Sequence, residues 1–191
     1  MGYEDETWWS RVSAPGMQAW AETRRPLRLV EQTVPKGEPK ALACYGLLLH
    51  QFTSPDARQE QIWLRFVEGR PVSGITTQFL TWCCEKLWAA GHQALLLVWD
   101  NAGWHISHQV RTWIRTHNRQ VKQTGGGVRL IVCPLPSQSP WLNPIEPKWM
   151  HGKRRVVEPD RLLAPDELRA RVFDAFGCAH EPLLSIPDNV P

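Results

Sequence analysis

Long apolar runs are missing from this 191-residue chain. Nowhere do eighteen apolar residues follow one another, so no segment is expected to cross a membrane as a helix. The opening MGYEDETWW is acidic and has no apolar h-region, which argues against a secretory signal. Cysteine is scarce. The five residues, at positions 44, 83, 84, 133 and 178, form no C-x-x-C pair and are odd in number, so neither a zinc knuckle nor a disulfide framework is suggested. Free thiols in a reducing cytoplasm are the simplest account. Net charge is also small, at +3, and bulk charge alone does not demand a nucleic-acid partner. No internal repeat or low-complexity linker breaks the chain. With 42% hydrophobic and 21% charged residues it reads as one globular domain over 1–191, large enough for a real core.

What is present is patterned. ALACYGLLLH (41–50) and QIWLRFVEG (61–69) have strand length and composition and are joined by the turn-forming TSPDARQ. A helix is predicted over 76–90, with Phe79, Leu80, Cys83, Leu87 and Trp88 on one face and Gly91 as its stop. A buried strand, ALLLVW, comes next, followed by a helix over 107–118 that TGGG ends. VRLIVCPLP is predicted as a second buried strand. A Pro- and Ser-rich loop leads to a helix near 144–155, and an amphipathic helix follows over 166–176. Strands first, then helix and strand in alternation, imply an α/β domain with a mixed sheet flanked by helices, and sites in such sheets gather at the carboxyl ends of strands. The eleven tryptophans are expected to be mostly core, with Trp113 and Trp149 packing on the sheet; no spacing supports a stacking platform for single-stranded DNA.

Charge sits in unusual places. Asp100 closes the apolar run LLLVWD, where an unpaired carboxylate is costly unless it has a partner or a task. Glu146, in SPWLNPIEPKW, admits a local explanation: Asn143 as N-cap, Pro144 at the first helical position and Glu146 at the third. Yet both acids follow strands that can be neighbours. Carboxylates that converge repel, and a hard divalent cation is the usual remedy. Basic residues cluster as Lys148, Lys153, Arg154 and Arg155, and again as Arg111, Arg115, Arg119 and Lys122. Such clusters fit phosphate contacts or solvated helix faces equally well.

VWDNAGWH, LPSQSPWLNPIEPKW and the basic HGKRR together resemble the D-N-A-x-x-H and P-x-x-S-P-x-L-N-P-I-E-x-x-W signatures of mariner-type DDE transposases, in the bacterial insertion-sequence branch. The likeness runs from about residue 3 to 175. It implies an RNase H-like fold, with a core over about 3–156 and a C-terminal helix over about 166–177. It makes Asp100 the second catalytic acid and Glu146 the third. YEDETWWSRVSAPGMQAW resembles the family's first block and makes Asp5 the first acid. Glu4 and Glu6 flank it but belong to the opposite face of a strand, and Asp56 sits in a turn where Asp is routine. Asp5, Asp100 and Glu146 would hold two Mg²⁺ or Mn²⁺ ions for phosphoryl transfer on double-stranded DNA, at transposon ends and target. His105 falls on the family's His, to orient a phosphate or water or to cap the next helix. His105 and His108 lack a third soft ligand for zinc. Asn101 either steadies the turn or touches the site. Lys153 and Arg154 are candidates for DNA backbone contacts.

No counterpart of the family's N-terminal helix-turn-helix region is expected in this sequence, and with Asp5 as the first acid the central strand would have lost part of its length. The chain is thus expected to be the catalytic half of a cytoplasmic transposase, a homodimer when active, with an upstream helix-turn-helix polypeptide as a candidate partner. The alternatives are an inactive remnant with at most non-specific DNA binding, and a host RNase H-like nuclease, against which SPWLNPIEPKW argues. All three acids being present favours the active domain.

Overall fold

A computed structural model describes residues 1–12, 34–54, 57–137, 139–156 and 161–185. Asp56, and the part of the first block beyond residue 12, lie outside the described residues. Five strands form one mixed sheet: β1 (Gly2–Ser10), β2 (Ala41–Ser54), β3 (Ala57–Phe66), β4 (Ala94–Trp99) and β5 (Arg129–Pro134), in the order β3-β2-β1-β4-β5. β1, β2 and β3 run antiparallel, while β4 is parallel to both β1 and β5.

Strand alternation divides the core in two. On one face Tyr45, Leu47, Leu95, Leu97 and Trp99 meet α1 (Ser73–Ala89) and Val110 of α2 (His108–Thr124). On the other, Trp9, Cys44, Leu48, Leu64 and Phe66 meet α3 (Glu146–Val156) and α4 (Pro165–Phe176). The helix ends follow ordinary capping chemistry: the Ser107 side chain accepts from the Val110 N–H, and Gly125 takes the left-handed conformation (φ 69°) that ends α2.

Three expectations need correction. VRLIVCPLP forms a strand, but not a buried one: β5 is the sheet edge, and only Leu130 of its six residues is buried. Helices α3 and α4 cover the β1–β2–β3 half of their face, leaving Leu96, Ile131 and Cys133 exposed. The capping arrangement is met in part: α3 starts at Glu146, the Asn143 Oδ1 accepts from the Ile145 N–H at 3.4 Å as a cap does, and its amide N–H donates to the Glu4 carbonyl at 3.0 Å. The central strand is also not short. All nine residues of β1 pair with β2, although only Gly2 and Tyr3 pair with β4. Trp113 and Trp149 do pack on the sheet, whereas Trp8, Trp88 and Trp141 are exposed.

Gly46 pairs with Asp5 across the β1–β2 ladder, and the Trp149 indole fills the space that a Cβ there would occupy. Gly46→Ala is therefore expected to overpack this spot and lower unfolding free energy by about 1–3 kcal/mol, read by urea denaturation.

Candidate active site

Three successive acids on β1 face alternate ways. Asp5 looks toward α3, where its Oδ2 accepts a 2.8 Å hydrogen bond from the buried Trp149 indole N–H. Burial, and next the nearby charge of Glu146, push Asp5 up to about 7, and the Trp149 bond only partly offsets them. Glu146 thus stands close enough for its charge to be felt, at the first residue of α3, where the helix end favours an anion.

Asp100 comes from the neighbouring strand. Gly2 pairs with Leu97 and Tyr3 with Val98, where the β1–β4 ladder ends, and Asp100 directly follows Trp99, the last residue of β4; the same alternation carried two residues on would bring it level with Asp5. Asp100 is exposed, and its Oδ1 accepts from the Ala102 N–H and from His105 Nδ1, both at 2.8 Å. The His105 bond holds its carboxyl below the usual range. Oδ2 accepts from none of the described residues. Asn101 steadies the strand end, donating to the Leu135 carbonyl at 2.7 Å.

The opposite face of β1 carries an arrangement that sequence reasoning missed. His105 is buried, stacked on Trp99 with centroids 4.5 Å apart, and its Nε2 lies 3.1 Å from both Glu4 Oε2 and Glu6 Oε1. Glu6 also accepts a 2.7 Å bond from the Trp104 indole. Burial pulls His105 toward the neutral form, but the charge of Glu4 and the bonds to Asp100, Glu4 and Glu6 win, so the ring is held as imidazolium. Glu4, fully buried, is pushed up to about 8 by burial and by Glu6. These three residues place ligand atoms within 4.8 Å of one another, a grouping that suits a cation, and the imidazolium supplies the positive charge. The ring therefore has no nitrogen left for DNA, and the expected phosphate contact from His105 is replaced by a bond that orients Asp100. Nor does it cap α2, which Ser107 does. The signal was legible: Glu-Asp-Glu on a strand sends its two outer acids to the other face.

Lys153 and Arg154 are exposed on α3, about two turns beyond Glu146. A cavity of about 750 Å³ lies on the other flank of α3, among Trp63, Trp82, Lys86, Lys148, His151 and Arg155, and none of the three acids lines it.

The family model for the DDE superfamily endonuclease matches residues 56–169, and the chain belongs to that family. No curated protein matches it. Among solved structures it is similar to a Mos1 transposase paired-end complex with the left transposon end (TM-score 0.65, 15% identity, 93% of this chain and 48% of that one). It is similar also to the Mos1 strand transfer complex (0.62, 13%, 93% and 47%) and to a Mos1 mariner paired-end complex with Mn (0.60, 15%, 93% and 48%). The mixed five-stranded sheet with flanking helices is the RNase H-like fold of the Mos1 catalytic domain. The chain spans about half the length of these transposases.

Two outcomes follow for stability, both measured in chelator. A carboxylate raised above its unfolded value contributes stability below the unfolded pKa and loses it as pH rises through the folded one. Asp5→Asn is thus expected to stabilise the fold at pH 8 by on the order of 2 kcal/mol relative to pH 4, flattening the decline between those values. His105→Gln removes the cation between Glu4 and Glu6. It is expected to cost about 3 kcal/mol at pH 6, where the stability contributed by a raised imidazole is present, and less at pH 9, in urea titrations.

Proposed function

We propose that this chain is the catalytic domain of an insertion-sequence transposase that cuts and joins DNA strands by metal-dependent phosphoryl transfer. One observation carries the reading: Asp5 on β1 feels the charge of Glu146 at the start of α3, and Asp100 directly follows the neighbouring strand β4. That charge helps to raise Asp5, and no ion pair within the described residues neutralises either. Membership of the DDE superfamily endonucleases and the similarity to Mos1 transposase support it.

The donor set fits Mg²⁺ or Mn²⁺. It is all carboxylate oxygen, partly open to solvent, and short of positive charge. Asp5, Asp100 and Glu146 would hold two ions. When bound, these activate the attacking oxygen and stabilise the leaving one. The protein's own part is positional. Trp149 holds one oxygen of Asp5, and His105 and the Ala102 N–H hold one oxygen of Asp100. Helix α3 brings Glu146 to them, its start anchored through Asn143 to β1. Lys153 and Arg154 would meet the DNA backbone, positioning the duplex without reading its sequence.

One catalytic domain spans 1–191, end recognition comes from a helix-turn-helix polypeptide upstream, and two copies act together on two transposon ends in the cytoplasm. Among the described residues no helix is long and apolar enough to cross a membrane.

Asp100→Asn and Glu146→Gln each remove a charge with little change of shape. Both are expected to lower Mn²⁺-dependent nicking of plasmid DNA by at least a hundredfold with the circular dichroism spectrum unchanged. Full nicking by either variant would refute the assignment. A folded parent that never nicks DNA would point to an inactive remnant.

A further inference from the structure

One edge of the sheet opens into the cavity beside α3. Strand β3 bonds to β2 through its odd-numbered residues: the Val67 N–H beyond its end donates to the Ala43 carbonyl at 2.9 Å, and the Arg65–Tyr45 and Trp63–Leu47 pairs keep that register. Alternation turns the N–H and C=O groups of Glu60, Ile62, Leu64 and Phe66 away from the sheet, at its edge. The Phe66 carbonyl accepts from the Leu184 N–H at 2.8 Å, and the Ile62 carbonyl accepts from the Cys178 thiol at 3.2 Å. Among the described residues no partner meets the outward backbone of Glu60 or Leu64, or the Ile62 N–H. Leu64 is only 1% exposed, and buried backbone groups without partners are costly.

The chain's own tail shows how this edge is used. Leu184 forms a parallel bridge with Val67, its N–H donating to Phe66 and its carbonyl accepting from the Glu68 N–H at 2.8 Å. Between Gly177 and Leu184 no backbone bond joins the tail to β3, and the cavity of about 750 Å³ has Glu60, Ile62 and Leu64 on one side and Cys178 and Glu181 on the other. The remaining walls select an occupant. Leu48 and Phe176 make them partly apolar. Lys148 is already paired with Glu60 (2.7 Å) and Lys86 with Glu181 (3.2 Å). Arg155 and His151, one turn apart on α3, have no partner among the described residues. Glu60 and Glu181 oppose a chain of phosphates, whereas an extended peptide supplies the donors and acceptors the edge lacks and an acid for Arg155.

The geometry points to a docking groove for an extended acidic segment of a partner protein, which adds to the edge of β3 along Glu60–Leu64 and sets a carboxylate against Arg155. The inference is independent of the transposase reading, because Asp5, Asp100 and Glu146 do not line the cavity. Backbone pairing holds the segment, and the alternation of its side chains between α1 and α3 selects its sequence.

The test titrates the full chain into fluorescein-labelled Val-Glu-Val-Glu-Val amide and follows anisotropy. The peptide is expected to bind, and its Val-Lys-Val-Lys-Val counterpart to bind at least tenfold more weakly. Two further peptides carry N-methyl groups, one on the valine amides and one on the glutamate amides. In an added strand only one of these sets faces β3, so one peptide is expected to lose at least tenfold in affinity and the other little. Arg155→Ala is expected to weaken the unmodified peptide about tenfold, and Arg111→Ala, on α2, to leave it unchanged. Arg155 is exposed, so its replacement spares the core, and near-UV circular dichroism checks this. No binding of the unmodified peptide, equal effects of the two methylation sets, or full affinity in Arg155→Ala would each overturn the groove. Duplex DNA that loses affinity in Arg155→Ala, with no peptide bound by the parent, would assign these walls to DNA instead. The transposase reading survives any of these results.

Discussion

Everything in this molecule turns on how one strand carries three consecutive carboxylates. A strand places successive side chains on opposite faces, so Glu4, Asp5 and Glu6 cannot share one environment. Two of them are driven into the core behind the sheet, where only a buried cation makes their burial tolerable, and His105 is that cation. The third is left on the α3 side with an indole N–H for company and another acid nearby. The back-face acids thus have a cation beside them, whereas Asp5 and Glu146 have none among the described residues. That asymmetry separates the structural half of the acidic cluster from the half proposed to do chemistry.

The two halves are joined through Asp100. His105 spends one ring nitrogen on the buried glutamates and the other on Asp100, so the back of β1 sets the orientation of an acid on its front. Packing enters the site in the same way. Trp149 belongs to the core between the sheet and α3–α4, yet its indole N–H holds Asp5, and it fits only because Gly46 has no side chain. Changes aimed at stability and changes aimed at chemistry are hard to separate here, because Trp149 and His105 serve both.

The layout of the fold was legible in the sequence because its signals are local: apolar strands, helical periodicity, and Gly91 and Gly125 near the ends of α1 and α2. The edge character of β5 was not. VRLIVCPLP is apolar enough for a buried strand, and only the placement of α3 and α4 over the other half of the sheet shows that Ile131 and Cys133 stay uncovered. Asn143 was legible as a cap, accepting from the Ile145 N–H, but its second bond, to a distant carbonyl on β1, was not. Asp5, Asp100 and Glu146 were proposed from motif resemblance, and the register between β1 and β4, carried two residues on, would bring the first two level. The two glutamate partners of His105 lie about a hundred residues away in the chain, and no local pattern reports such a contact; only the parity of Glu-Asp-Glu hinted that two acids needed a neighbour behind the sheet.

The central claim is that the three front-face acids form a cation site while the back-face acids do not require one. Isothermal titration of Mn²⁺ into the purified chain, the Asp100→Asn variant and the Glu4→Gln variant addresses it directly. The account predicts heat of binding in the parent, a clear weakening in Asp100→Asn, and little change in Glu4→Gln. Binding that survives Asp100→Asn but disappears in Glu4→Gln would place the cation behind the sheet and contradict it.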